Sequence, residues 1–307
     1  MKVVKVVVII FLFNIKIIYA DLGILLNLNL NELKEIDISN KTTIISNTNT
    51  LNSIASNKHQ LFVEQSALAG FNFFKLNLET RLYYRTILYT NRAGWMWEDN
   101  KVDIGIENNF SLDSDIIGIF ADIKPLSFFG VRINANFIAM FNFASGGYVG
   151  FDSKDDNYSP GELNSRTKEN SIGIMAGIAP YFVFKFKSFT IINYTHINYI
   201  FLGDRNYYYD PRTAILHSQN EIEIFNDIFL LANINSFNIG MNHSLTYLVN
   251  VNKLSHRIGV ATIFNFSWIE NTLNLDLLVS GGLNIGIPNY SSLTYIEMKT
   301  ELSYKIL

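Results

Sequence analysis

The chain has 307 residues, of which 49% are hydrophobic and only 17% charged, with 24 Phe, 16 Tyr, no Cys and a net charge of −3. So little charge is short of the roughly one quarter that solvates a typical soluble domain, while the high hydrophobicity excludes intrinsic disorder. Past residue 20 no stretch approaches the ~18 consecutive apolar residues of a spanning helix. A near-neutral chain without a basic run excludes a nucleic-acid partner. The absence of Cys excludes disulfide frameworks, thiolate zinc sites, iron–sulfur clusters, thiol nucleophiles and a lipid-modified cysteine.

In chain order, residues 1–20 come first. Lys2 and Lys5 precede the apolar run Val6–Phe13, and Ala20 stands before Asp21. This layout predicts a secretory signal peptide; Asn14 and Lys16 interrupt the run and argue against a membrane anchor. Residues 21–60 are rich in Asn, Ser and Thr, with Leu26, Leu28 and Leu30 alternating with Asn. That segment is expected to be a polar extension or a plug inside something larger.

Residues 61–307 follow one pattern with a period of two. Phe74, Leu76, Leu78, Leu82 and Tyr84 alternate with Lys75, Asn77, Glu79, Arg81 and Arg85. Phe129, Val131, Ile133, Ala135 and Phe137 alternate with Arg132, Asn134 and Asn136, and the final run Ile296, Met298, Leu302, Tyr304 alternates with Glu297, Lys299, Glu301, Ser303. Successive strand side chains point to opposite faces, so each run is a ribbon with one apolar and one polar side. Strands are expected near 58–68, 71–90, 95–112, 115–124, 128–143, 171–186, 189–202, 216–234, 237–249, 255–269, 272–287 and 293–306. Many are much longer than the five or six residues usual in soluble sheets, and they match the length needed to cross a bilayer obliquely.

The connections are a second signal. Counted back from the C-terminus, the long breaks at 288–292, 250–255, 203–216 and 144–170 all fall at one end, and the short ones near 270, 235, 187 and 125 at the other. Short turns on one side and long loops on the other are the habit of bacterial membrane barrels. With its alternating last strand, the chain resembles the general class of bacterial outer-membrane β-barrels, although it ends Ile306-Leu307 where that class usually ends in Phe. The resemblance implies an all-β fold, a closed antiparallel transmembrane barrel of about twelve strands. It also implies export to the outer membrane of a two-membrane bacterium, with membrane lipid and the barrel-assembly machinery as partners.

Motifs for chemistry are few. There is no phosphate loop, dinucleotide fingerprint, Gly-x-Ser-x-Gly elbow or His-Glu-x-x-His zinc motif, and no cofactor or metal site is expected. Outer-membrane hydrolases as a class set His and Ser two apart on one strand face. Here His217-Ser218 and His243-Ser244 are adjacent and face opposite ways, so no catalytic residue is assigned. His243 falls on the expected lipid face, which a small register error would explain.

The inward face is expected to include Lys75, Glu79, Arg81, Arg85, Arg132, His196, Glu221, Glu223 and Asp276. Its acids and bases nearly balance, as a narrow barrel with paired inward charges requires and as a strongly ion-selective pore would not show. The loop containing Tyr207, Tyr208, Tyr209 and Arg212 is either a ligand-docking surface or part of an aromatic girdle, and Trp95 and Trp97 read as girdle too. The acids of the 144–170 loop lack the spacing of a calcium loop. The leading functional expectation is a passive channel for small solutes, partly plugged by residues 21–60. An outer-membrane lipid hydrolase and a structural or surface-binding barrel are the alternatives.

Overall fold

A computed structural model describes residues 59–71, 76–89, 94–97, 99–142, 147–234, 237–269, 273–286 and 294–306. The expected signal peptide, residues 21–58 of the polar segment, and Lys75 lie outside the described residues. In chain order the elements are β1 (His59–Phe71), β2 (Asn77–Ile87), β3 (Lys101–Ser111), β4 (Ser114–Leu126), β5 (Phe129–Met140), β6 (Val149–Phe151) and α1 (Pro160–Ser165). They continue with β7 (Ser171–Lys185), β8 (Phe189–Leu202), β9 (Tyr207–Asp210), β10 (Ile215–Ser218), β11 (Asn220–Ile234), β12 (Phe237–Leu248), β13 (Lys253–Ile269), β14 (Leu273–Ile285) and β15 (Thr294–Lys305).

Twelve of these strands close into one antiparallel barrel in the order β1-β15-β14-β13-β12-β11-β8-β7-β5-β4-β3-β2. The ring shuts where β1 pairs with β15, for example Val63 opposite Tyr304 and Ser66 opposite Glu301. Closure leaves no strand edge, so the backbone groups of the wall pair with neighbouring strands all the way round, as lipid demands.

The alternation seen in the sequence sets which way each side chain points. On β5, Phe137 is 70% exposed while its neighbour Asn136 is buried at 5%. Large apolar side chains such as Ile119, Ile172, Val260 and Ile296 cover the outside, and Arg81, Lys101, Asp122 and Glu301 are buried inside. A soluble protein does the reverse. The wall is built to face hydrocarbon, and its interior takes the polar groups.

β15 ends at the rim where β1 begins, which we call the terminal end; the opposite rim is the loop end. The connections at the terminal end that follow β4, β7, β11 and β13 are only two or three residues long. The connection 88–100 at that end is longer than expected. Trp95 and Trp97 alternate like strand residues, but Gly94 adopts φ 115° and Trp97 N–H donates to the Gly94 carbonyl at 2.9 Å. That turn delays β3 to Lys101.

At the loop end, β6, β9 and β10 form a separate sheet in the order β10-β9-β6 that the period-two pattern did not reveal.

Candidate functional site: the barrel interior and its cap

Water in an open pore would keep its lining side chains accessible. Instead, the inward side chains are packed against one another. Tyr181 and Tyr194 stack at 4.8 Å, and with Val183, Ile192, Phe229, Leu231, Ile263 and Leu278 they form a buried apolar cluster on the inner faces of β7, β8, β11, β13 and β14.

The inner faces of β1 to β5 carry charges, and these are paired. Arg81 lies 2.9 Å from Glu64, against Glu79, and 3.9 Å from Glu107. Arg132 reaches Glu107 at 4.0 Å and Asp122 at 3.7 Å, and Tyr181 donates its hydroxyl to Asp122 at 2.9 Å. Arg85 grips Asp103 with two bonds of 2.8 and 2.9 Å, and Lys124 pairs with Asp99. On β13 and β15 Arg257 meets Glu297, and Lys299 lies 3.5 Å from Glu301. Ions taken out of water are tolerated only with close partners, and the cross-strand register supplies them: Arg85 is opposite Asp103, and Asp122 is opposite Arg132.

Above this network the chain dips into the mouth. After β8, Gly203 adopts φ 72°, and a Cβ there would fall 2.3 Å from the Tyr148 ring. The turn sends β9 across the opening, and β10 returns to β11. The turn between them is tight: Thr213 and Ala214 N–H groups donate to the Asp210 carbonyl at 3.3 and 2.7 Å, and Ala214 takes the left-handed φ of 53°. Asp210 holds Arg212 with both oxygens, and Arg212 also lies 3.9 Å from Glu223 on the barrel wall. Burial works against the Arg212 charge, but Asp210 and Glu223 outweigh it and hold the guanidinium protonated above its ordinary range. Tyr208 is fully buried and stacks on Tyr148 at 5.5 Å. Burial, with Asp210 beside it, pushes the Tyr208 phenol well up, and burial alone pushes Tyr158 up to about 12.

Between cap and network lies a cavity of about 130 Å³ lined by Glu79, Glu107, Arg132, Asn134, Asn136, His196, Asn198, Arg212, Thr213, Glu223, Lys299 and several apolar and hydroxyl groups. Its named charges are three acids and three bases, all shorter-range paired or amide-bonded partners such as Asn198 with Glu223 at 3.1 Å. The Oδ1 atoms of Asn134 and Asn136 are buried with no hydrogen-bond partner in the protein. A chamber of this size with polar groups in its lining has room for a few waters or one small polar molecule.

Of the residues expected inside, Glu79, Arg132, His196 and Glu223 meet at this chamber. Arg81, Arg85 and Asp276 are buried in the interior away from it. Glu221 is at the rim rather than in the chamber: it accepts from Ser218 N–H and hydroxyl at 3.2 and 3.0 Å and from Asn250 N–H at 2.8 Å, tying β10 to β11 and the β12–β13 turn. The tyrosine loop differs from both expectations. Tyr208 and Arg212 point into the mouth, and Tyr207 and Tyr209 pack against Val149, Phe151, Tyr158 and Leu216 within the cap. Tyr207 and Tyr209 remain partly exposed there. His243 does face outward; no register error is involved, because it bonds to His256, also on the outer wall.

Sequence reading missed Glu64, Lys101 and Lys124 as interior ions and missed the cap. The signal for the cap was present in Asp210-Pro-Arg-Thr213, a turn-forming run between the apolar stretches Tyr207–Tyr209 and Ile215–Leu216.

One constellation at the cap has the residue types of a nucleophilic site: Thr213 Oγ1 is 2.6 Å from His217 Nε2, and His217 Nδ1 is 3.8 Å from Asp210. Its geometry is unsuited to acyl transfer. The Asp210 contact is beyond hydrogen-bond range, Asp210 is already held by Arg212, and the Thr213 and Ala214 N–H groups are used by the Asp210 carbonyl. Neither of those two N–H groups is left for an oxyanion.

Closed topology and inverted burial together define the architecture of the bacterial outer-membrane β-barrels. No protein-family model matches the chain, and no curated protein matches it. Among solved structures it is similar to a NanC porin at 13% identity, covering 80% of this chain and 100% of that one with a TM-score of 0.36. It is similar to the transport unit of the autotransporter AIDA-I from Escherichia coli at 8% identity, covering 84% and 97% with a TM-score of 0.39. It is also similar to LpxR from Salmonella typhimurium at 6% identity, covering 79% and 99% with a TM-score of 0.38. Likeness this distant says nothing of what the chain carries or transforms.

Proposed function

We propose that the protein is an outer-membrane channel for small polar solutes that rests closed. The observation that carries this reading is the charge-balanced chamber beneath the cap, about 130 Å³ in volume and lined by polar and apolar groups in similar measure. Balanced walls disfavour selection of one ion sign and suit neutral or zwitterionic solutes. The closure resides in the barrel's own side chains and in the β9–β10 strap. Passage requires the strap to lift and the Arg81–Arg132 network to rearrange, and a channel of this kind conducts rarely and weakly.

Flux into proteoliposomes tests this. Vesicles bearing the refolded chain should take up a small neutral or zwitterionic solute faster than empty vesicles and exclude oligosaccharides. Uptake equal to that of empty vesicles would refute it. A second reading, a structural or surface-binding barrel without transport, is favoured by one specific observation, the apolar cluster around Phe229 and Leu278 that packs the inner wall. The same flux assay separates the two.

A further inference from the structure

The outer wall is largely apolar, interrupted by polar pairs such as Gln65 with Thr80 on β1 and β2 and Asn108 with Asp115 on β3 and β4. On β4, β5 and β7 the outward positions from Ile117 onward are aliphatic, aromatic, Ala or Pro. Across β8, β11, β12 and β13, however, a polar stripe runs over the outside: Asn193, Thr195, Asn226, His243 and His256. Its first three members satisfy one another, with Thr195 donating to Asn193 at 3.2 Å and Asn226 donating to Thr195 at 2.7 Å. The last two are a histidine pair. His243 Nε2 and His256 Nδ1 are 3.2 Å apart, and the rings stack with centroids 5.4 Å apart.

Two metal–imidazole bonds of about 2.0–2.1 Å whose nitrogens are 3.2 Å apart enclose an angle of about 100°, between the square-planar and tetrahedral values. The separation of the two imidazole nitrogens is therefore also the span of a chelate, with the ion set to one side of the N···N line. His256 is the fourth residue of β13, close to the loop end, so water can reach the pair. The chain offers no thiolate and only five His. His196 and His217 are buried inside, and His59 stands near the other rim, where it hydrogen-bonds to Thr86. These facts leave one place where two accessible imidazoles converge.

We propose that His243 and His256 form a two-histidine site for a divalent transition metal ion of the zinc and copper kind, on the outer wall near the loop end, with solvent oxygens completing the coordination. Imidazole is a favoured ligand for both ions, and two donors fixed by adjacent β-strands lose little freedom on binding. The site is independent of the lumen and of any transport through it.

The test uses the full chain, without a polyhistidine tag, refolded in detergent micelles in a non-chelating buffer. Calorimetric titration with zinc chloride should give one zinc per barrel. His243→Ala and His256→Ala should each abolish that binding, while His59→Ala should leave it unchanged. Bound copper(II) should show two nitrogen ligands by electron paramagnetic resonance, lost in the same two variants. Heat-modifiable mobility confirms that each variant is folded, and His256→Asn replaces any alanine variant that fails to fold. A folded barrel that binds no zinc, or one whose zinc affinity survives loss of both histidines, would overturn the proposal.

Discussion

Replacing Arg81 with Met tests whether the interior is held by paired ions. The guanidinium lies 2.9 Å from Glu64, against Glu79 and 3.9 Å from Glu107, and it is among the most deeply buried large side chains. Met keeps much of the volume and removes the charge, leaving Glu64 and Glu79 without their main counter-ion. Removing one partner of a buried ion pair costs about 3–5 kcal/mol, most of it from the charge left behind. Urea unfolding of the barrel in phospholipid vesicles, followed by tryptophan fluorescence, reads that loss. Adding Glu64→Gln and Glu79→Gln to Arg81→Met should recover most of the stability, because amides need no counter-charge. If Arg81→Met alone unfolds within about 0.5 kcal/mol of the wild type, the range of an inconsequential surface change, the paired-ion account of the interior is wrong.

Other consequences follow from the wall and the cap. Phe137→Arg should destabilise the barrel by about 2–4 kcal/mol if it lies near the midplane, whereas Asn136→Arg, one residue away and facing the chamber beside Glu107, should be tolerated; equal effects in the unfolding assay would mean the register is misread. Burial raises the Tyr158 phenol to about 12 from an unfolded value of about 10, so its contribution to the cap is complete below pH ~10 and is lost as pH rises through 12. An absorbance titration compared with Tyr158→Phe should show that late tyrosinate, and a midpoint near 10 would contradict the burial. Thr213→Ala should leave any phospholipid hydrolysis by the refolded barrel unchanged, and a loss of hydrolysis in that variant would revive the enzymatic alternative.

The barrel was readable in the sequence because membrane strands write their orientation into every second residue. β5 is the clearest case: Phe129 to Phe137 on one face and Arg132, Asn134 and Asn136 on the other are enough to give strand, length and direction. The same rule located the wall-facing and interior members of β2 and β15, and the alternation of long and short connections gave the two ends. What periodicity cannot encode is how loops fold over a mouth. Tyr208 is buried by Tyr148, 60 residues earlier in the chain, and Arg212 is fixed by Glu223 on a strand that follows it. Such contacts depend on the closed barrel bringing distant loops together. Trp95 and Trp97 misled for a local reason, since a turn begun by Gly94 can carry alternating aromatics as readily as a strand. His243 shows the converse: the alternation placed it correctly on the outside, and only the partner, His256 across the sheet, makes that position intelligible.

Single-channel recording in planar bilayers tests the central claim most directly, comparing the wild type with Arg212→Ala, which removes the strap's ion pair with Glu223 of the barrel wall at the roof of the chamber. The account predicts rare, small openings for the wild type and markedly more frequent ones for the variant. A wide, steadily open wild-type pore, or silence from both proteins, would contradict it.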